Sequence, residues 1–167
     1  KRRHFLVMPF ALAACNFRDG ILRLSGLTMG TTYNVIAVDN DGKTSEAELR
    51  SAVETGLARV NSQMSNWSAG SEISRFNAQG TGTARLSDDL ATVVQAAQDV
   101  HMASNGMFDV TVGRLVDLWG FGAGTTGNVI PADTAIAEAM EGTGQSRNLR
   151  LSGNALEKLD DSTEIYL

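Results

Sequence analysis

Apolar and polar positions change period several times along the chain, and each change marks an element. Residues 21–38, ILRLSGLTMGTTYNVIAV, alternate on either side of a glycine turn and predict two strands. In the second strand Tyr33, Val35 and Ala37 alternate with Asn34, Ile36 and Val38. Both sets are largely apolar, which predicts cover on both faces. DNDG (39–42) closes the strand as a turn. Its acids lack the ligand spacing of a calcium loop, so a hairpin or strand-to-helix turn is expected. Ser45 and Glu48 form a capping box. The helix behind it carries Leu49, Ala52, Val53, Gly56, Leu57, Val60 and Met64 on one face.

MSNWSAGSEISRFNAQG (64–80) is polar but holds Trp67, Ile73 and Phe76, so it is expected to pack down as a loop. Ser87 caps a second helix whose stripe is Leu90, Val93, Val94, Ala97, Val100 and His101, and Asn105-Gly106 ends it in left-handed fashion. His101 flanks the stripe with no acid or second His at ligand spacing, so it is expected at the edge of the core. In NGMFDVTVGRLVDLWGFG (105–122) the pattern alternates and then turns helical. Phe108, Val110 and Val112 are expected on one face of a strand, with Asp109 and Thr111 on the other. Leu115, Leu118 and Trp119 follow at helical spacing. GFGAGTTGN (120–128) is a glycine-rich loop without the Lys-Ser/Thr of a phosphate-cradling loop. Pro131 starts a short helix through Met140. Residues 148–160 form a hairpin around Ser152-Gly153-Asn154, and TEIYL (163–167) starts another strand. Irregular alternation of helices and hairpins predicts an α+β fold with a mixed or mostly antiparallel sheet and flanking helices.

Composition narrows the class. The chain has 167 residues, 43% hydrophobic and 20% charged, which is ordinary for a globular protein. Its formal net charge of -5 is the wrong sign for a nucleic-acid footprint. A single cysteine, Cys15, rules out an intramolecular disulfide. It closes KRRHFLVMPFALAAC (1–15), a basic start, a short apolar run and small residues in the order of an export signal. LAAC resembles a bacterial lipobox, in which the Cys carries lipid, and RRHFL resembles a twin-arginine signal. Residues 1–15 are therefore expected to be an export signal and residues 16–167 the body, on the periplasmic side of the inner membrane and anchored by lipid at Cys15.

GLTMGTTYNV (26–35), MSNWSAGSEISRFN (64–77) and NGMFDVTVGRLVDLWGFG (105–122) resemble, in order and spacing, the N-terminal half of the ApbE family of FAD:protein FMN transferases. The resemblance implies an α+β fold, FAD as substrate and Mg²⁺. It implies attachment of FMN to a Thr or Ser of a target flavoprotein subunit in a membrane respiratory complex. It assigns FAD contacts to Met29, Trp67, Met107, Phe108 and Asp109. The family usually has a small residue where Met107 stands. Its Mg²⁺ ligands and the His serving as catalytic base would lie beyond Leu167, and no residue here matches them. Asp88-Asp89 and Asp160-Asp161 suit a helix first turn and a hairpin turn instead. Two alternatives stay open: a protein that holds or hydrolyses FAD, and a lipid-anchored accessory protein without flavin chemistry.

The last strand pattern stops without cap, turn or polar tail, so the chain is expected to be part of a longer protein. Residues 16–167 alone, with FAD, Mg²⁺ and a target peptide, are expected to transfer no FMN. Transfer at the rate of a full-length relative would overturn that expectation.

Overall fold

The computed structural model describes residues 20–123 and 130–167. Cys15 and most of the predicted glycine-rich loop lie outside the described residues. The chain divides into two units, Lys1–Val53 and Glu54–Leu167, each with its own organisation.

In the first unit β1 (Ile21–Thr28) and β2 (Thr31–Val38) form an antiparallel hairpin, in register from Ile21↔Val38 to Thr28↔Thr31. Its two-residue connection, Met29-Gly30, has φ of 47° and 73°. Positive φ at both positions is the habit of the primed turns that match strand twist. Cover on both faces is not found. Tyr33, Val35 and Ala37 are half-buried, whereas Asn34, Ile36 and Val38 are exposed. Apolar composition favours a strand there but does not itself supply a second covering layer. After β2 the Asp39 carboxylate accepts the Thr44 N–H at 2.6 Å, and chiefly this bond holds its pKa below the usual value. Helix α1 (Glu46–Met64) begins at the predicted capping box: Glu48 N–H donates to Ser45 Oγ at 3.2 Å and Ser45 N–H donates to Glu48 Oε2 at 2.8 Å. No residue of α1 is fully buried, so its apolar stripe stays partly exposed.

The second unit holds α2 (Glu72–Ala78), β3 (Gly82–Arg85), α3 (Asp88–Ala103), α4 (Gly113–Leu118), α5 (Asp133–Glu141), α6 (Gln145–Asn148), β4 (Leu149–Ser152) and β5 (Ala155–Lys158). The strands form an antiparallel sheet in the order β3-β5-β4. With the hairpin, this is the expected α+β class. The predicted stripe of α3 packs in part: Leu90, Val94, Ala97 and His101 are buried together with Ala91, whereas Val93 is half-buried and Val100 is 49% exposed. Leu90, Val94 and Ala97 join Ile73 and Phe76 of α2, Leu86, Val110, Leu156 and Ile165 in one core. Each large side chain there contributes roughly 1.5–3 kcal/mol by leaving water.

Two predicted strands do not form. At 108–112 strict alternation fails, because Val110 and Thr111 are both buried and Phe108 is exposed. The Asp109 carboxylate accepts the Thr111 N–H at 2.8 Å, and this local turn competes with extended structure. Residues 163–167 belong to neither sheet. The polar 64–80 stretch contains a helix that period counting missed. Ser71 caps α2 by accepting from Ser74 N–H at 3.1 Å, and Ile73 and Phe76 anchor it.

Lys158 at the end of β5 is almost wholly buried. Its ammonium donates to the Asn77 and Gln79 carbonyls, both at 2.9 Å, and sits 5.1 Å from the centre of the Phe76 ring. It thus satisfies carbonyls at the C-terminal end of α2 that the helix leaves open. Burial holds its pKa below the ordinary lysine value, while Glu164 and Asp161 pull the other way. Lys158→Met, which keeps the stem and removes the donors, is expected to destabilise the second unit by about 1–3 kcal/mol in urea unfolding. An unchanged midpoint would show that the two carbonyls find other donors.

Candidate functional site

The site is organised around residues 163–167. Thr163 and Ile165 are fully buried, so the peptide groups between them need partners inside the protein. On one edge Tyr166 N–H donates to Val110 O at 2.8 Å, and Gly113 N–H donates to Glu164 O at 3.1 Å. On the other edge two side-chain amides take the place of a strand. Asn77 accepts from Ile165 N–H at 2.9 Å and donates to Ile165 O at 2.8 Å. Asn66 donates to Ile165 O at 2.8 Å and accepts from Leu167 N–H at 2.9 Å. Gly113 and Gly142 allow the close approach. A Cβ on the first would lie 2.8 Å from Glu164 O, and on the second 2.2 Å from Ser162 O.

This segment brings two predicted site regions to its opposite edges. Trp67 follows Asn66 and is 67% exposed. Met107 and Phe108, 89% and 42% exposed, precede the Asp109-Val110 step on the other side. Met29 belongs to the other unit, at the hairpin tip, where it is 53% exposed. A turn position with positive φ ordinarily goes to Gly, Asn or Asp, and an ordinary side chain there costs about 1–2 kcal/mol.

Asp109 does not stand with Thr111 on the open face of a strand: its side chain is only 15% exposed. Its Oδ1 accepts from the Thr111 N–H and hydroxyl, and its Oδ2 accepts from Gln145 N–H at 2.9 Å. Thr111 Oγ1 in turn accepts from Gly144 N–H at 2.8 Å, and Gln145 Oε1 accepts from Val110 N–H at 3.3 Å. His101 is buried at the core edge as expected, but an acid does accompany it. Its Nδ1 lies 2.6 Å from Phe108 O and 3.9 Å from Asp109 Oδ2. A carbonyl can only accept, so Nδ1 carries the proton in that bond. The loop bearing Met107 and Phe108 is therefore tied from behind by α3 and by the turn leading into α6. Sequence reading singled out neither Gln145 nor the two asparagines. Asn66 and Asn77 lie inside MSNWSAGSEISRFN (64–77), yet nothing local marks a side chain that completes a distant ladder.

A cavity of about 280 Å³ opens beside the segment, lined by Asn66, Asn77, Gly113, Asp117, Glu164 and Tyr166 among others. Desolvation pushes the Glu164 carboxyl above the usual range, with the Asp117 charge adding to it and Arg114 and Lys158 opposing. Desolvation raises Asp117 as well. Among the described residues no group of three or more His, Cys, Asp or Glu converges as a metal site.

An antiparallel α+β fold built on these three motifs is the fold of solved flavin transferases. The structure matches "Flavin Transferase ApbE from Vibrio cholerae" with a TM-score of 0.83 at 35% identity, over 87% of this chain and 47% of that one. It matches the apo form of Pseudomonas stutzeri flavinyl transferase ApbE with a TM-score of 0.81 at 30% identity, over 87% and 48%. Residues 29–167 match the ApbE family, and the chain belongs to it. A FAD:protein FMN transferase of Vibrio cholerae is 37% identical over 157 residues, 93% of this chain and 46% of the relative. One of Haemophilus influenzae is 37% identical over 142 residues, 83% and 41%. The chain thus spans about half the length of the curated relatives it matches.

The raised carboxyls give a pH dependence with a definite sign. A carboxyl whose folded pKa lies above its unfolded value stabilises the fold only while protonated. That contribution is full below the unfolded pKa and is lost as pH rises through the folded one. Glu164→Gln is expected to lose less melting temperature than wild type between about pH 4 and about pH 7. An equally steep loss in both proteins would show that Glu164 is not the group responsible.

Proposed function

We propose that this chain carries flavin-nucleotide contacts of a FAD:protein FMN transferase. In that reaction a Thr or Ser hydroxyl of a target protein attacks the FMN phosphorus of FAD. The pyrophosphate P–O bond breaks, a phosphoester forms, AMP leaves, and the hydroxyl proton passes to a base. The observation that carries the reading is the pair of exposed apolar groups, Trp67 and Met107-Phe108, on two edges of one firmly held segment. Both lie in motifs resembling those of the transferases. Flat rings such as isoalloxazine or adenine stack on an exposed indole, and Met adapts to their edges. Met29 supports the reading from the hairpin tip, where it occupies a turn position that folding alone would give to another residue.

Mg²⁺ belongs to this proposal as the ion that neutralises phosphate charge. It requires an octahedral oxygen shell. Among the described residues no group of three or more His, Cys, Asp or Glu converges, and none of them is assigned to the ion. Its ligands and the catalytic base are proposed to lie outside the described residues. The same proposal places the protein on the periplasmic face of the inner membrane, held by lipid at Cys15, with a flavoprotein subunit of a respiratory complex as target. Among the described residues no helix is long and apolar enough to cross a membrane.

Titration of the chain with FAD, followed by flavin fluorescence, tests the reading. Wild type is expected to bind, and Trp67→Ala to bind roughly fivefold more weakly, as suits the loss of about 1 kcal/mol of stacking. No binding by wild type, or equal binding by both proteins, would sink it. Whether FMN then appears on protein or free in solution separates transfer from hydrolysis.

A further inference from the structure

We infer that Thr111 is a positioning residue, whose hydroxyl locks the Met107–Asp109 loop to the turn before α6. The inference rests on the proposed role of Met107 and Phe108 in meeting the flavin nucleotide. It adds what keeps them in place.

The Thr111 hydroxyl is used twice. It donates to Asp109 Oδ1 and accepts from Gly144 N–H at 2.8 Å. A hydroxyl can do both at once, whereas an amide nitrogen or a methyl cannot. The residue is 2% exposed, so water cannot stand in for either partner. Asp109 carries the connection onward, because its other oxygen accepts from Gln145 N–H at 2.9 Å. The same turn is anchored from its far side. Gly142 O accepts from Thr163 Oγ1 at 3.0 Å and from Asn148 Nδ2 at 3.1 Å. Thr111 therefore stands between a firmly held turn and a loop whose next residues outward, Phe108 and Met107, are exposed. On the α3 side the backbone of these two residues is held by Met107 N–H donating to Ser104 O at 3.2 Å, Phe108 N–H donating to Ser104 Oγ at 3.0 Å and His101 Nδ1 at 2.6 Å from Phe108 O, and on the α6 side the loop is held through Thr111, Asp109 and Gln145. Thr111 acts through Asp109.

Thr111→Val keeps the shape and removes both hydrogen bonds. Thr111→Ser keeps the hydroxyl. Amide hydrogen exchange without ligand reads the loop directly. Thr111→Val is expected to speed exchange at residues 107–110 while the α3 core stays protected, and Thr111→Ser to exchange as wild type does. With FAD, Thr111→Val is expected to bind about tenfold more weakly, the equivalent of roughly 1.4 kcal/mol, and Thr111→Ser within about twofold of wild type. Asp109→Asn, which removes the acceptor facing Gln145, is expected to behave like Thr111→Val and serves if that variant folds poorly. Unchanged exchange at 107–110 in Thr111→Val and Asp109→Asn would overturn the inference. So would equal weakening by the Val and Ser variants, which would mark a packing role. Faster loop exchange in a protein whose wild type binds no FAD would uphold the positioning and refute the flavin reading alone.

Discussion

The second unit depends on how the peptide groups of residues 164–167 are satisfied. Ile165 lies fully in the core, and its N–H and C=O are taken there with it. A buried peptide group without a partner would cost as much as several good contacts return. The protein meets this demand unevenly. One edge of the segment has backbone partners at Val110 and Gly113, and the other has the side-chain amides of Asn66 and Asn77. An amide side chain carries one donor and one acceptor group, the same pair that a peptide presents, so Asn can act as a one-residue strand. The loops that carry Asn66 and Val110, and the start of α4 at Gly113, are therefore placed by the segment. The residues next to them, Trp67 on one side and Phe108-Asp109 on the other, take their positions from it.

Much of the scaffold was legible in the sequence because it rests on local rules. The hairpin of β1 and β2, the Ser45–Glu48 box, the Ser87 cap, the Asn105-Gly106 stop and the β4–β5 turn each involve residues a few positions apart. What escaped was tertiary. The alternation of MFDVTV has the right period for a strand, yet the Asp109 carboxylate captures the Thr111 N–H and turns the chain. Thr111 is thereby buried on what would have been the polar face. Helix α2 hid in a polar stretch because two apolar anchors in seven residues are too few for a period. Family motifs pointed to Trp67 and to Met107–Asp109. Nothing in the order of residues could show that Gln145, thirty-odd positions away, completes the same network.

Asp109 shows how the protein itself can hold an acid that stands in an apolar stretch. Exposed on a strand it would be available to a ligand. Here both oxygens have protein donors, and His101 approaches from the neighbouring helix. The apolar residues beside it carry the exposed surface instead. The strain at Met29 and the exposure of Met107 have the same character. Each is a local choice that folding alone does not favour, and such departures concentrate where a protein meets something else.

The doubled amides have one more effect. An extended segment with open N–H and C=O groups is a template on which another chain can add a strand. Around Ile165 both edges have partners, one through the backbone bonds at Glu164 O and Tyr166 N–H and one through Asn66 and Asn77. Ile165 and its two peptide groups are thus shielded from pairing with a strand of another chain. The shield consists of two side chains and needs no additional strand.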